Sequence, residues 1–437
     1  MVERSTENRK VTGSTPVGAT AFSACFRASN ARLSLSERAE FLLAHVKNFY
    51  TFQKRVKNLA TFLHVKNPVS RIFPCGNLIF LTTNSRSLPS TNWRLAQFFG
   101  RRRTRERRSP DWIRQSNKFP TQRSSSLPSL LEAQASSEIE NIVTTTDDLF
   151  RDENLKERRP GPSGKGDLRY REALFAGLKE VRRRPLNTNI ALEASSHISG
   201  YNMELRSLPG TFIGNSTTLE RRYTPPESKD LIARKLGDWE KIVHIGDELD
   251  PLAAMAVAHC QFEAIRPFTD SNGRTGRILN ILMLIERRLL SEPVLCLSRY
   301  IIENKNEYYD RLLAVTRDGD WQEWLSFMLS AVQSTSEETL ATIDRIQEAR
   351  RTIREQMRPN RGGSNADLLD LLFERPYCRI ADIEDACNVT RPTATKRLEE
   401  LVAAGVLDDR RVGRDRLFVN VPLMEILRNP GTAAQER

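Results

Sequence analysis

A short segment at residues 263–280, EAIRPFTDSNGRTGRILN, has the composition of a site that binds an anion. Its second half has helical periodicity, so the segment leads into a helix N-terminus, where free N–H groups and the helix dipole attract negative charge. Glycines let the backbone approach a phosphate closely, and arginines add fixed cationic groups. In the second half of the segment, the residues of these two types are Gly273, Arg274, Gly276 and Arg277. Asp270 adds a hard oxygen ligand that suits Mg²⁺ bound next to phosphates.

Taken alone, this segment is a weak signal for function. It lacks the G-x-x-x-x-G-K-[ST] pattern of a P-loop, and DSNG lacks the acidic residues that would continue an EF-hand loop. A turn that only caps the following helix explains the same residues equally well. In the loop 266–274, Asp270 is the sole side chain that could accept a proton at neutral pH.

The elements that must position this loop are predicted from periodicity and capping residues. Residues 250–265 predict a helix capped by Asp250, with a proline in its first turn. We predict a loop over 266–274 and a second helix over 275–290. Residues 210–227 combine β-branched and turn residues, which indicates a short hairpin.

The rest of the chain reads as further helices followed by a separate C-terminal module. The other helical predictions cover residues 127–150, 168–208, 228–244 and several segments up to about 357. RPNRGGSN at 358–365 predicts a hinge. The segment after it predicts a winged helix-turn-helix with a basic two-stranded tip, and Thr390 is expected to cap its third helix. The predicted fold class is therefore mainly α.

The positive charge of the chain is concentrated in its N-terminal quarter. Residues 1–125 hold 23 Lys and Arg against 6 Asp and Glu, a net charge of +17, whereas the remaining residues carry −5. The net charge of +12 for the whole chain is therefore no argument for nucleic-acid binding by its folded body. Residues 1–125 also lack sustained periodicity, which predicts a basic, irregular segment.

Composition also restricts the cellular compartment. Six cysteines without C-x-x-C spacing indicate reduced thiols rather than disulfides or a zinc site. The sequence has no apolar run long enough to span a membrane and no secretory signal. We therefore expect a cytoplasmic protein without a membrane partner.

HCQFEAIRPFTDSNGRTGRILN closely resembles the active-site signature of Fic-domain proteins, H-P-F-x-[DE]-G-N-G-R-x-x-R. LPGTFIGNSTTLERRYTPP resembles the flap on which that family docks its substrate. SSEIEN at 136–141 fits the inhibitory pattern [ST]-x-x-x-E-[GN] of members whose autoinhibitory helix precedes the domain. A C-terminal winged helix also occurs in this subgroup, so the resemblance covers roughly residues 127–425.

The resemblance implies a protein adenylyltransferase with a helical Fic fold, which transfers AMP from ATP to a hydroxyl group of a target protein. It implies Asp270 as the Mg²⁺ ligand, Arg277 as the γ-phosphate arginine and Glu140 as the inhibitor that pairs with Arg277. The residues it assigns to ATP and its phosphates are Ser271, Asn272, Gly273, Arg274, Thr275, Gly276 and Arg277. Tyr308 and Tyr309 are candidates to stack near adenine, although an ordinary aromatic core explains them equally well.

The sequence departs from the family pattern at two critical positions. Arg266 occupies the place of the motif histidine, and a guanidinium has no free acceptor, so it cannot act as a general base. Ser271 stands where the family has glycine. His259, which lies seven residues before Arg266, is expected to be structural. We therefore predict an impaired transferase, with an ATP-binding pseudoenzyme or a DNA-binding regulator as alternatives.

We predict four segments along the chain: 1–125, an inhibitory helix and linker at 127–165, a Fic domain at 166–357 and a winged helix at 363–425.

The reading frame of the N-terminal quarter is open to question. If codons for residues 107–126 are read with a shift of two nucleotides, they can encode a helix and an IPNP segment like those that precede the inhibitory helix in the family. We hypothesise that residues 1–125 are out of frame. The target protein is unknown, and DNA binding through residues 390–416, protein docking and a homodimer stay open.

Overall fold

The computed structural model describes residues 126–154, 162–208, 210–214, 221–246, 249–357, 365–412 and 415–430. The predicted basic, out-of-frame segment at 1–125 lies outside these residues, as does nearly all of the predicted hinge. The described part is mainly helical, as predicted from the sequence.

Ten helices and a small hairpin form the first part of the described chain. These elements are α1 (Ser126–Ile139), α2 (Thr146–Asn154), α3 (Pro162–Val181), α4 (Thr188–Ser199), β1 (Ile213–Gly214), β2 (Arg221–Tyr223), α5 (Lys229–Val243), α6 (Pro251–Ile265), α7 (Asn272–Glu286), α8 (Leu297–Glu303), α9 (Lys305–Asp318) and α10 (Trp321–Met357). The antiparallel pair β1 and β2 lies within the predicted hairpin at 210–227.

The core of this part is centred on α6 and α7. Only Gln261 and Ala264 of α6 are not buried, so the helix is covered on nearly all sides. The Asp250 carboxylate accepts a hydrogen bond of 2.9 Å from the N–H of Leu252, which confirms the predicted cap. Trp324 of α10 donates its indole N–H to the carbonyl of Ala256, 2.9 Å away, and so fixes α10 against α6.

Seven further elements form the C-terminal module, defined here as residues 365–430. They are α11 (Asn365–Glu374), β3 (Tyr377–Cys378), α12 (Ile380–Cys387), α13 (Arg391–Ala403), β4 (Leu407–Val412), β5 (Asp415–Asn420) and α14 (Val421–Arg428). The antiparallel sheet has the strand order β3-β5-β4. Thr390 is the N-cap residue of α13, as predicted, but its hydroxyl lies 3.1 Å from that of Thr393 and makes no capping bond to the backbone.

The C-terminal module shares an apolar core with the two helices at the start of the described chain. Leu127 and Leu130 of α1 belong to this core, together with Leu149 and Phe150 of α2. The other end of α1 belongs to the core around α6 and α7, through residues such as Ile139. Helix α1 therefore connects the two apolar cores.

Candidate functional site

The loop between α6 and α7 is held by its own backbone and by one asparagine. Arg266 ends α6 in the left-handed region at φ 43°, with its N–H bonded to the carbonyl of Phe262. Ser271, also left-handed at φ 61°, turns the chain into α7. The Asn272 side chain accepts from the N–H of Phe268 at 2.9 Å and donates to its carbonyl at 2.8 Å. The predicted start of α7 at 275 is therefore wrong: this closed turn starts the helix at Asn272.

The N-terminal turn of α7 contacts a carboxylate from a distant part of the chain. Glu140 directly follows α1, and its Oε1 accepts a hydrogen bond of 3.2 Å from the backbone N–H of Arg274. Its Oε2 lies 2.7 Å from Nε of Arg274, and its Oε1 lies 3.3 Å from Nη2 of Arg277. The resemblance implied the pair with Arg277, whereas the shorter contact with Arg274 is visible only in the structure. A carboxylate thus lies where a helix N-terminus and two arginines favour an anion.

Arg277 also binds α1 directly. Its Nε donates to the Ser136 hydroxyl and its Nη2 to the Ser136 carbonyl, both at 2.8 Å. Only 2% of Arg277 is exposed. Burial disfavours its charged form, but the neighbouring negative charge of Glu140 raises the pKa of Arg277, so the side chain stays cationic. One arginine therefore joins α7 to the end of α1 and to Glu140.

Two buried acids hold α1 and the turn that follows it. Glu132 accepts from the Tyr170 hydroxyl at 3.1 Å and from the N–H and hydroxyl of Ser298, and burial raises the pKa of Glu132 to about 7. Burial also raises the pKa of Asp167 to about 6, although the hydroxyls of Ser137 and Thr144 lower it. Sequence reasoning missed both acids because no local pattern marks a polar helical residue as buried.

A cavity of about 390 Å³ lies between the α7 N-terminus, the turn after α1 and α9. Its lining residues are Glu140, Ile142, Glu263, Arg266, Asp270, Ser271, Asn272, Gly273, Arg274, Arg277, Tyr308 and Tyr309. Most of the residues predicted to bind ATP and its phosphates therefore surround one space.

Thr275 and Gly276 are exceptions to that prediction, since neither lines the cavity. Thr275 is fully buried, and Gly276 faces α6, where a Cβ atom would lie 2.8 Å from Oε1 of Glu263. Both residues lie one turn further into α7 than the N-terminal residues that border the cavity. The cavity lining does not support their assignment to phosphate contact, which stays a prediction.

The two tyrosines differ in exposure. Tyr308 is 1% exposed and packs in the core, and Tyr309 is 38% exposed at the cavity. Of the two, Tyr309 is therefore the side chain with a surface available to a ligand.

Arg266, at the position of the motif histidine, is held by an acid and by a second arginine. Its Nη1 lies 3.6 Å from Oε2 of Glu263, which is 6% exposed and whose Oε1 has no hydrogen-bond partner among the described residues. The buried Arg206 donates from Nε to the Arg266 carbonyl at 2.7 Å and from its backbone N–H to the Pro267 carbonyl at 2.9 Å. Sequence reasoning did not identify Glu263 or Arg206 as contacts of this position.

His259 does not reach the cavity. It is 2% exposed, its Nε2 lies 2.8 Å from the Tyr308 hydroxyl, and its ring stacks on Trp324. Burial, with a smaller effect of Arg277, lowers the pKa of His259 to about 3. An imidazole that is this weakly basic and this enclosed is unsuited to replace the missing base, in agreement with the structural role expected from the sequence.

The groups at the cavity fit the phosphates of a nucleotide. The donors that bind Glu140 are those that would bind a phosphate: a helix N-terminal N–H and two guanidinium groups. Asp270 is 64% exposed in its side chain, and its Oδ1 accepts from the N–H of Ser271 at 2.6 Å. An exposed carboxylate beside a phosphate site suits Mg²⁺, which is usually bound through one or two carboxylates and substrate phosphates.

The fold and the site thus define a helical domain with a candidate anion site at the N-terminus of α7. Family models match along the same stretch: the Fic/DOC family N-terminal model at residues 125–179, the Fic/DOC family model at 187–284, and the C-terminal domain of SoFic-like protein adenylyltransferases at 346–423. Together these matches identify the chain as a member of the Fic/DOC family.

Individual relatives match over shorter stretches. The chain is 31% identical to protein adenylyltransferase fic-1 of Caenorhabditis elegans over 121 residues, which is 27% of this chain and 20% of that protein. The Caenorhabditis briggsae protein of the same name is 31% identical over 163 residues, covering 36% of this chain and 27% of the relative. A crystal structure of a Fic family protein from Desulfovibrio desulfuricans matches at 19% identity and a TM-score of 0.43, covering 76% of this chain and 97% of that one.

Within the part of the chain that the structure describes, no helix is long and apolar enough to cross a membrane. The cysteines there, Cys260, Cys296, Cys378 and Cys387, are all free thiols.

Proposed function

We propose that the chain is a Fic-type protein adenylyltransferase that is autoinhibited by Glu140 and impaired by Arg266. The observation that carries this proposal is the position of the Glu140 carboxylate, which binds the N-terminal N–H of α7 and both arginines of the motif. The family match and the relatives named protein adenylyltransferase support the reaction class. The substrates would be ATP and a hydroxyl group of an unidentified target protein.

The phosphates of ATP would bind where Glu140 now lies, because both require the same donors. The Arg274 N–H and the guanidinium groups of Arg274 and Arg277 would then contact phosphate oxygens. Asp270 would hold Mg²⁺, which neutralises phosphate charge when it is bound. Glu140 would exclude this arrangement for as long as it occupies the site.

The transfer step needs a base that the chain lacks at the expected position. The target hydroxyl oxygen forms a bond to the α-phosphorus, the bond to the pyrophosphate oxygen breaks, and the hydroxyl proton must be accepted by another group. Arg266 is cationic and has no free lone pair, so it cannot accept this proton. Loss of a general base costs on the order of 10²–10⁴-fold in rate.

A second candidate is an ATP-binding protein that does not transfer AMP. The observation in its favour is Arg266, whose side chain is 28% exposed at the cavity and adds a positive charge to a phosphate site.

Regulation through DNA has less support, because residues 365–430 hold 12 acidic and 10 basic side chains. Arg416, at the tip of the predicted winged helix, is also paired with Glu399 and Asp409.

The test is transfer of labelled AMP from ATP and Mg²⁺ to the protein itself or to lysate proteins. Glu140→Gly and the double variant Glu140→Gly/Arg266→His would be compared after circular dichroism has shown that both fold. Restoring the base should raise the rate of the double variant about 100-fold or more above that of the single variant. Arg277→Ala in the double variant is the control, since it removes a phosphate contact.

Labelling by the double variant alone would support both the anion site and the assignment of the defect to Arg266. Equal labelling by the single variant would show that another group takes the proton and would refute the proposed impairment. If both variants fold and bind ATP but neither transfers AMP, the transferase is refuted and the ATP-binding candidate takes its place.

A further inference from the structure

We infer that the C-terminal module controls the anion site by holding α2, and through α2 the inhibitory turn, defined here as residues 140–145 between α1 and α2. This inference rests on the proposed function and adds a means of regulation to it. Its basis is a set of contacts between α2 and the far end of the chain, beginning with Asp147. That residue lies in the first turn of α2, seven positions after Glu140.

Asp147 joins α2 to two elements of the module. Arg428 at the end of α14 donates to Oδ1 of Asp147 from Nε at 3.0 Å and from Nη2 at 2.5 Å. The same Nη2 lies 2.7 Å from Oδ2 of Asp147. Arg410 of β4 lies 3.9 Å from Oδ2. A two-pronged guanidinium–carboxylate pair fixes orientation as well as distance. The pair is about one-third exposed, so its main effect is to set where α2 sits.

Apolar contacts secure the same helix. Leu149 and Phe150 are fully buried and belong to the apolar core that also contains Tyr377 of β3 and Leu427 of α14. On the same side of α2 as these two residues, Glu153 forms an ion pair with Arg171 of α3. The module therefore forms part of the surface on which α2 is docked.

The inhibitory turn is too short and too well bonded to move independently of α2. The Thr145 hydroxyl accepts a hydrogen bond of 3.1 Å from the N–H of Asp148 and so caps α2. Gln134 of α1 donates to the Thr144 carbonyl at 2.5 Å and accepts from the Thr146 hydroxyl at 3.3 Å. Because Gln134 of α1 bonds both the turn and the first residue of α2, a displacement of α2 on the module would disturb the turn and, through it, the position of Glu140 at α7.

The module's remaining arginines allow this contact to be tested against a matched control. Arg391 of α13 is 67% exposed in its side chain and pairs with Glu384 of the same module, 3.4 Å away. Arg391→Asp and Arg428→Asp make the same charge change in the same module, but only the second variant repels Asp147.

The experiment measures the affinity of the full chain for ATP and Mg²⁺ by calorimetry, with Glu140→Gly as the fully released reference. The reference should bind ATP more tightly than the wild type, and Arg428→Asp should reproduce part of that gain, on the order of 5-fold. Asp147→Arg should act in the same direction. The exchanged pair Asp147→Arg/Arg428→Asp should recover part of the wild-type affinity, because Arg410 still faces position 147. Arg391→Asp should leave the affinity unchanged.

Amide hydrogen exchange of residues 140–146 separates this inference from the proposed autoinhibition. Faster exchange in Arg428→Asp, reversed in the exchanged pair, would support control of the inhibitory turn by the module. This holds even if Glu140→Gly has no effect on ATP affinity. That second result would refute autoinhibition and leave the inference standing. Unchanged exchange and affinity in Arg428→Asp would overturn the inference. An equal effect of Arg391→Asp would overturn it as well, because the response would then follow module charge rather than α2 docking.

Discussion

At the scale of single residues, Gly276 shows how a motif position can serve packing rather than a ligand. Its sequence context indicates a glycine that lets a phosphate approach, but its open side faces α6. A Cβ atom there would lie 2.8 Å from Oε1 of Glu263 and 3.3 Å from Cδ1 of Phe262. Glu263 is buried and paired with Arg266, so it has little freedom to move aside.

Gly276→Ala should therefore destabilise the fold by about 1–3 kcal/mol, the usual cost of overpacking. Gly237→Ala is the matched control, because Gly237 lies within α5 and nothing lies within 4 Å of an added Cβ atom. The control should be neutral or stabilise by up to about 1 kcal/mol, since alanine is the better helix former. Denaturant unfolding measures both; equal effects of the two changes would contradict the packing role.

At the scale of elements, α1 is attached by a carboxyl group whose protonation changes on folding. Glu132 has an ordinary pKa of 4.5, which burial against α3 and α8 raises to about 7 in the fold. Between these two pH values the folded chain holds a proton that the unfolded chain has released. The free energy of unfolding contributed by Glu132 therefore falls as pH rises from 4.5 to 7.

Glu132→Gln removes this titration and keeps an oxygen that can accept from Ser298. The variant should become more stable relative to the wild type by roughly 1–3 kcal/mol as pH rises from about 4.5 to 7.5. His259, whose pKa is lowered from 6.5 to about 3, acts with the opposite sign between those two pH values, but it is present in both chains and cancels in the difference. Thermal unfolding across this pH range is the measurement, and a constant difference would contradict the shifted pKa.

The elements were predictable from the sequence where local chemistry decides them. Asp250 followed by proline predicts the start of α6 because that cap depends on neighbouring residues alone. The start of α7 was placed too late because Ser271 enters the helix through a left-handed conformation that no residue preference predicts. The family motif identified the loop and Glu140 as candidate site residues. It could not predict the contact between Glu140 and Arg274, because 134 residues separate them.

At the scale of the whole molecule, charge distribution determines which part can bind a polyanion. Residues 1–125 carry a net charge of +17, whereas the rest of the chain carries −5. In the C-terminal module, Arg410 and Arg416 are paired with acidic side chains of the same chain. The exposed basic residues at the start of α13, Arg391 and Lys396, share that helix with Glu399 and Glu400.

The full chain should therefore bind duplex DNA without sequence preference and with a steep salt dependence that originates in residues 1–125. Arg391→Glu/Lys396→Glu should change neither the affinity nor the slope of log affinity against log salt, because those side chains would not touch phosphates. If the module does lie on DNA, the double variant should lower the slope by about 0.9 for each phosphate that the module no longer neutralises. Affinity measured from low to physiological salt distinguishes binding through residues 1–125 from binding through the module. Binding through the module would give the double variant a smaller slope, even if the N-terminal charge supplies most of the affinity.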